Sequence, residues 1–196
     1  MIAIVDYGAG NVTSVCKAFQ HLGAEIIVTS NPADLPGAEK VVLPGVGHFS
    51  ATEAMSGNGM QTAILDSVRS GKPFLGICVG MQWLYAGSEE APAVPGLGLF
   101  QGVCRSFPTE VKSPHVGWNS IDVRPESRLL QGIQSGAFVY YTHSYFAPTT
   151  SETSASTEYG LSFAGAVERD GIFGVQFHPE KSGPAGLTIL KNFCEL

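Results

Sequence analysis

The chain has 196 residues, of which 44% are hydrophobic and only 14% are charged, so it can bury a core without disulfides or metals. Its formal net charge of −6 argues against nucleic acid or an anionic membrane surface as a partner. No apolar run approaches the roughly 18 residues that span a bilayer. The first strand begins at Ile2 with no targeting pattern before it, and we expect a cytoplasmic protein with free thiols.

The N-terminal part of the chain alternates apolar strands with amphipathic helices. Helices are predicted after the N-cap residue Asn11 and from Gly59 to Ser70, because apolar residues recur there at helical spacing. Strands are predicted at Ile2–Val5, Glu25–Thr29, Lys40–Leu43 and Pro73–Cys78. This order predicts a doubly wound, mostly parallel sheet, in which ligands bind at the carboxyl ends of the strands.

The C-terminal part contains strands separated by turn residues rather than by helices, and a closing helix at Pro184–Glu195. The predicted strands are Gly98–Phe107, Trp118–Val123, Phe138–Phe146, Leu161–Val167 and Ile172–Phe177. They predict an antiparallel extension followed by a return to the main sheet. The Ser- and Thr-rich stretch Ala147–Gly160 is predicted to be a solvated hairpin loop. We expect one α/β, flavodoxin-like domain over residues 1–196.

A Gly-x-Cys-x-Gly sequence, Gly76 to Gly80, joins the fourth strand to a helical segment. It is the thiol counterpart of the nucleophile elbow, in which a sharp turn projects the nucleophile above the sheet. Glycines on both sides of Cys78 remove side chains that would collide in such a turn, and the amino end of the next helix favours a thiolate. We therefore predict a nucleophile at Cys78 and packing roles for Cys16, Cys104 and Cys194.

An activated thiol needs a base, and the sequence Phe-His-Pro-Glu near the end of the chain offers one. If this stretch is extended, His178 and Glu180 lie two residues apart and can face the same side. Pro179 supports this because it favours an extended residue before it. Cysteine, histidine and a carboxylate together make a nucleophilic triad.

The other histidines and one glycine-rich turn are given smaller roles. His48, His115 and His143 are predicted to make contacts at the rim of the site, and no pair of histidines has the spacing of a metal site. The turn Pro44–Gly47 lacks the Lys-Ser/Thr of a P-loop and the third glycine of a dinucleotide fingerprint. Beside the elbow it can aim a backbone N–H at an oxyanion, together with the N–H of Val79. An ordinary tight turn is the alternative.

The elbow and the distal His-Pro-Glu resemble those of the class I (triad) glutamine amidotransferases. Five segments are similar, more narrowly, to the glutaminase subunits of imidazole glycerol phosphate synthase: Asp6–Asn11, Leu43–Gly47, Pro114–Asn119, His143–Tyr145 and Gln176–Ser182. The first and the third of these segments select the subfamily, since the elbow alone specifies only the superfamily.

This resemblance implies hydrolysis of L-glutamine to glutamate and ammonia through a thioester on Cys78, with no cofactor. It implies a heterodimer with a (β/α)₈-barrel cyclase, HisF, that uses the ammonia in histidine biosynthesis. The implied triad is Cys78, His178 and Glu180, and the implied oxyanion hole is Val46, Gly47 and Val79. The implied glutamine contacts are Gln82, Ser144 and Tyr145, and the implied interface residues are Asn11, Trp118 and Lys181.

Three other readings remain open from the residues. Another triad glutaminase, of the pyridoxal 5′-phosphate synthase or the anthranilate type, would carry the same triad. A free-standing cysteine hydrolase would not require Gln82 and would turn over without a partner. A non-catalytic binding subunit could keep the fold, although an intact triad argues against it.

Overall fold

The computed structural model describes residues 1–196 as eleven strands and five helices. The strands are β1 Ile2–Val5, β2 Ile26–Thr29, β3 Lys40–Gly45, β4 Phe74–Cys78, β5 Arg105–Ser106, β6 His115–Val123, β7 Ala137–His143, β8 Tyr145–Phe146, β9 Thr153–Glu158, β10 Ser162–Arg169 and β11 Ile172–Val175. The helices are α1 Val12–His21, α2 Glu53–Gly57, α3 Met60–Arg69, α4 Val79–Gln82 and α5 Gly183–Glu195. Short 3₁₀ turns lie at Pro32–Gly37, Phe49–Thr52 and Pro179–Lys181.

Nine strands form one sheet in the order β2-β1-β3-β4-β11-β10-β9-β6-β7. The first five of these run parallel to one another, and the remaining pairs are antiparallel. This arrangement confirms the predicted α/β sheet with an antiparallel extension. It also places β11, which leads to His178, directly beside β4, which ends at Cys78.

The helices follow from the apolar periodicity and pack on both faces of the sheet. Crossovers between parallel strands are right-handed, and the chain moves from β1 to β2 in one direction and from β3 to β4 in the other, so α1 and α3 lie on opposite faces. Phe193 of α5 packs on Phe19 of α1 and on Phe173 of β11, with ring centroids 6.3 and 6.2 Å apart. None of the helices is both long and apolar enough to cross a membrane.

The predicted hairpin loop Ala147–Gly160 is wrong, because its second half is the interior strand β9. Ala155 is fully buried between β10 and β6. Thr157 satisfies its hydroxyl inside the protein, bonding the Tyr141 hydroxyl at 2.6 Å and donating to the Ser120 carbonyl at 3.1 Å. A polar composition therefore does not mark a loop here, since Thr suits strands and small hydroxyl side chains can be buried once they are bonded.

The predicted strand Gly98–Phe107 is also largely wrong, since only Arg105–Ser106 pairs as a strand. Leu97, just before the segment, and Leu99, within it, donate their backbone N–H groups to the carbonyls that follow the elbow, those of Trp83 at 2.7 Å and of Leu84 at 2.8 Å. Those carbonyls would otherwise be orphans at a helix end. The segment is thus used to cap the short helix α4 rather than to extend a sheet.

Candidate active site

Cys78 is the last residue of β4, and α4 begins at the next residue. Its backbone has φ +54° and ψ −108°, a conformation that costs a non-glycine residue about 1–3 kcal/mol. A Cβ added at Gly76 would lie 2.5 Å from the Gly80 carbonyl oxygen, and one added at Gly80 would lie 2.0 Å from the Leu43 carbonyl oxygen. The two flanking glycines are therefore required by the tight packing of the turn.

His178 and Glu180 meet just beyond β11. The His178 Nδ1 and the Glu180 Oε1 are 2.9 Å apart, and both side chains are 1% exposed. The stretch is not extended as the spacing argument assumed, because Pro179 begins a 3₁₀ turn. The backbone N–H of His178 donates to the Tyr140 carbonyl at 2.9 Å, and the Ser182 hydroxyl donates to the His178 carbonyl at 2.6 Å. These bonds fix the backbone of His178, and the contact with Glu180 orients its imidazole.

The electrostatics of this group favour the imidazolium. Burial opposes the charge, but the nearby Cys78 sulfur and the Glu180 carboxylate outweigh it and raise the pKa of His178. The His178 Nε2 is buried and makes no hydrogen bond of normal geometry. The Cys78 sulfur itself lies 3.7 Å from the Gln176 Nε2 and 3.9 Å from the Thr142 carbonyl oxygen. Because the Cys78 sulfur is near enough to raise the pKa of His178, a proton on the unbonded Nε2 is available for transfer on the Cys78 side of the ring.

A pocket of about 260 Å³ opens above Cys78. It brings together the sequence-predicted residues Val46, Gly47, Val79, Gln82, Ser144 and Tyr145. Gly47 has φ +119°, and a Cβ added at Gly45 would lie 2.8 Å from the Gly80 nitrogen. The glycine-rich turn therefore packs against the elbow itself. A larger cavity of about 730 Å³ around Arg124 and Glu168 has no hydrophobic residue in its lining and contains none of the predicted site residues.

Three lining residues were not assigned to the site from the sequence: Glu90, Pro114 and Thr142. His143, which was predicted to make a rim contact, also lines the pocket. Glu90 is the one carboxylate of the lining, and its Oε2 accepts from the Phe49 N–H at 2.7 Å. Glu90 lies in an irregular segment with neither strand nor helix periodicity, so no signal in the sequence placed it here. Of the other histidines assigned to the rim, His48 is exposed and His115 lies buried outside the pocket lining.

The amide of Gln82 has a defined orientation. Its Nε2 donates to the Tyr145 carbonyl at 2.8 Å and to the Gln176 Oε1 at 3.1 Å. Both amide hydrogens are therefore used inside the protein, because a primary amide carries two. The oxygen Oε1 is the atom left to accept a hydrogen bond from a bound molecule.

The sequence-predicted interface residues lie beyond the pocket. Trp118 is 55% exposed and packs edge-on against Tyr140, with ring centroids 6.0 Å apart. The Lys181 ammonium lies 5.9 Å from the Tyr140 ring centroid. Asn11 caps α1 through its side-chain oxygen, which accepts from the Ser14 N–H at 3.4 Å. Val116 and Phe138 add exposed apolar surface on the same two strands.

Comparison with known proteins is consistent along the whole chain. The family model for glutamine amidotransferase class-I matches residues 3–196. A Deinococcus radiodurans protein named imidazole glycerol phosphate synthase subunit HisH is 47% identical over 98% of this chain and 92% of its own. A protein of the same name from Chlorobium luteolum is 48% identical over 100% of both chains. A solved structure titled as a glutamine amidotransferase aligns with a TM-score of 0.79 at 18% identity, covering 100% of this chain and 98% of that one.

Proposed function

Because the chain belongs to the class-I glutamine amidotransferase family, we propose that it is the glutaminase subunit of an imidazole glycerol phosphate synthase. The observation that carries the proposal is that Cys78 lines the pocket while the buried His178–Glu180 pair lies close enough for the Cys78 sulfur to raise the pKa of His178. The full-length similarity to proteins named imidazole glycerol phosphate synthase subunit HisH favours this subunit over other triad glutaminases. We assign the activity to a single domain, residues 1–196.

The reaction begins with attack of the Cys78 thiolate on the side-chain carboxamide carbon of L-glutamine. The tetrahedral oxyanion accepts hydrogen bonds from the N–H of Val79 and from the turn at Val46 and Gly47. The His178 imidazolium, oriented by Glu180, gives its Nε2 proton to the departing nitrogen, which leaves as ammonia. Water then adds to the thioester while His178 takes its proton. Glutamate and the Cys78 thiolate are released.

The pocket lining fits the polar groups of glutamine. Glu90 complements the α-ammonium, since it is the only carboxylate in the lining. No lysine or arginine is present there. We therefore assign the α-carboxylate to the backbone N–H groups and hydroxyl groups of Ser144 and Tyr145. The free Oε1 of Gln82 adds an acceptor for an N–H group of the substrate. A peptide would have to fit the same pocket of about 260 Å³, which favours a free amino acid.

The partner in this proposal is the (β/α)₈-barrel cyclase HisF, which forms a cytoplasmic heterodimer with the chain and consumes the ammonia. The surface assigned to it is the exposed side of β6 and β7 with the adjoining turn, which carries Trp118 and Lys181. Asn11 belongs to the same region, because α1 packs against the turn Pro179–Lys181.

The test is ammonia release from glutamine by the chain alone, and by the chain with its cognate cyclase and the cyclase's nucleotide substrate. We expect a large rise with the loaded partner, and a loss to below about one thousandth in Cys78→Ala. Cys16→Ala, which changes a half-buried packing cysteine, is the matched control. High activity that is indifferent to the partner would favour a free-standing hydrolase. Activity that survives in Cys78→Ala would reject the mechanism.

A further inference from the structure

Two buried histidines that the proposed chemistry does not use face each other across β6 and β7. His115 and His143 are cross-strand partners, and the His115 Nδ1 lies 3.0 Å from the His143 Nε2. The two residues are 3% and 6% exposed. A hydrogen bond between two imidazoles requires that one ring donates and the other accepts.

The groups at the two ends of this pair fix the direction of every bond. The Tyr145 carbonyl can only accept, so the His143 Nδ1 at 2.9 Å must carry a proton and donate. The His143 Nε2 then accepts from the His115 Nδ1. The Asn119 amide nitrogen, which also donates to the Glu158 carbonyl at 3.0 Å, approaches the His115 Nε2 at 3.4 Å. One assignment satisfies all of these contacts: both rings are neutral with the proton on Nδ1.

The packing around the rings favours the same state. His115 is stacked between Tyr159 and Tyr141, with centroids 3.9 and 4.7 Å apart. His143 lies 5.2 Å from the Phe163 ring and 5.3 Å from the Phe107 ring, centroid to centroid. Burial lowers the pKa of His115 to about 4 and that of His143 to about 3. The rings are therefore held in place and uncharged at neutral pH.

The chain of bonds ends on an atom that also serves the pocket. The Tyr145 carbonyl accepts from His143 and from the Gln82 Nε2. The other hydrogen of that amide goes to Gln176, whose own Nε2 is 3.7 Å from the Cys78 sulfur. The orientation of one backbone carbonyl thus sets the direction in which Gln82 presents its oxygen to the pocket.

We propose that His115 and His143 form a neutral relay whose role is to position the Tyr145 carbonyl, and through it Gln82, for glutamine binding. The glutamine part of this role rests on the proposed function. Both residues are positioning residues: each nitrogen of His143 is already bonded within the chain, so neither is free to act as a base. The relay acts on substrate affinity rather than on the chemical step.

Two variants of His143 distinguish the loss of its hydrogen bond to the Tyr145 carbonyl from the loss of its side-chain volume. His143→Asn retains an amide donor near the position of Nδ1, whereas His143→Leu retains only the volume. We expect the KM for glutamine of the complex to rise about tenfold in His143→Leu, the equivalent of one lost hydrogen bond. We expect kcat to stay within about threefold in both variants, and KM to stay within about threefold in His143→Asn. His21→Asn, at an exposed histidine, is the control. Equal KM values in the two His143 variants would overturn the proposal.

Nitrogen NMR of the histidine-labelled wild-type chain tests the relay without reference to activity. We expect two neutral rings near pH 7, both protonated on Nδ1 and unprotonated on Nε2. An imidazolium at His115 or at His143, or a proton on Nε2 of either of these two rings, would overturn the relay even if glutamine were the substrate. If the tautomers are as expected but the chain does not hydrolyse glutamine, the relay stands and the proposed function is rejected. The measurement also decides the matter if His143→Leu does not fold.

Discussion

At Cys78 the chain accepts a strained backbone in order to project a thiol from the tip of a turn. The strain persists because the turn is closely packed on both sides: the Gly80 carbonyl fills the space of a side chain at Gly76, and the Leu43 carbonyl fills the space of a side chain at Gly80. Interiors are packed closely enough that such a contact cannot relax by more than a few tenths of an ångström. The position of the thiol is thus defined by two residues that carry no side chain.

Replacement of Gly80 with alanine measures this constraint. The added methyl would lie 2.0 Å from the Leu43 carbonyl oxygen, so we expect the free energy of unfolding in urea to fall by about 3 kcal/mol or more. Gly57→Ala is the matched control, because an added Cβ meets nothing within 4 Å there and alanine suits a helix better. It should be neutral or stabilise by up to about 1 kcal/mol. Equal effects at the two sites would contradict the packing argument.

The pair His178–Glu180 gives stability a definite dependence on pH. The pKa of His178 is raised above its unfolded value of about 6.5, so the stabilisation is fully present below that value and is lost as pH rises through the folded pKa, to about 10. We expect Glu180→Gln to lower the free energy of unfolding by about 1.5–3 kcal/mol near pH 6, and by less near pH 9. Glu25→Gln, at an exposed site, should show no such trend. A difference in the free energy of unfolding between the wild type and Glu180→Gln that stays constant or grows at high pH would contradict this prediction.

Residues whose roles depend on local spacing could be predicted from the sequence. Residues whose positions depend on the path of the chain could not. Glycines flanking a cysteine, and a histidine two residues before an acid, are visible in a short window. Glu90 reaches the pocket through an irregular segment. The His115–His143 contact depends on the register of β6 against β7. Neither the position of Glu90 nor the register of β6 against β7 is reflected in the spacing of apolar residues.

At the scale of elements, β9 illustrates how composition can mislead. Thr157 fits inside the sheet because neighbouring strands supply partners for its hydroxyl, the Ser120 carbonyl and the Tyr141 hydroxyl. The strand bridges β10 and β6, so it joins the two halves of the antiparallel extension. The apolar strands of the parallel half were located from sequence because buried parallel strands are continuous hydrophobic runs.

A charge within β9 distinguishes a buried strand from a surface loop. We expect Ala155→Asp to lower the free energy of unfolding by about 3 kcal/mol or more, because it places a carboxylate in a fully buried position without a partner. Thr149→Asp, at an exposed residue of the same stretch, should change it by less than about 0.5 kcal/mol. Chemical denaturation measures the free energy of unfolding of both variants. Little change in either of them would support a loop.

At the scale of the whole molecule, the two edges of the sheet differ in what they expose. The β2 edge offers one half-exposed valine, Val28, whereas the β6–β7 edge exposes Val116, Trp118 and Phe138 together. Clustered exposed apolar side chains mark interaction surfaces more often than scattered ones do. This asymmetry agrees with the surface assigned to the cyclase.

Trp118→Ala tests that assignment. The side chain is 55% exposed in the free chain, so we expect the free energy of unfolding to change by no more than about 0.5 kcal/mol. Binding to the cyclase should weaken by about 30-fold or more, as for a buried aromatic anchor. Val28→Ala at the opposite edge should leave the affinity unchanged. Titration calorimetry with the purified cyclase measures the affinity of both variants. An unaltered affinity for Trp118→Ala would show that the interface lies elsewhere.

The insertion of β11 between β4 and β10 has a consequence for the timing of activity during synthesis. Phe74 of β4 pairs with Ile172 of β11, so β4 lacks one neighbour until most of the polypeptide has been made. At typical elongation rates of about 5–20 residues per second, the thiol precedes its imidazole by roughly 5–20 s. On the proposed mechanism a growing chain therefore carries a nucleophile with no base. Ammonia release is restricted to finished molecules, which are also those able to engage a partner.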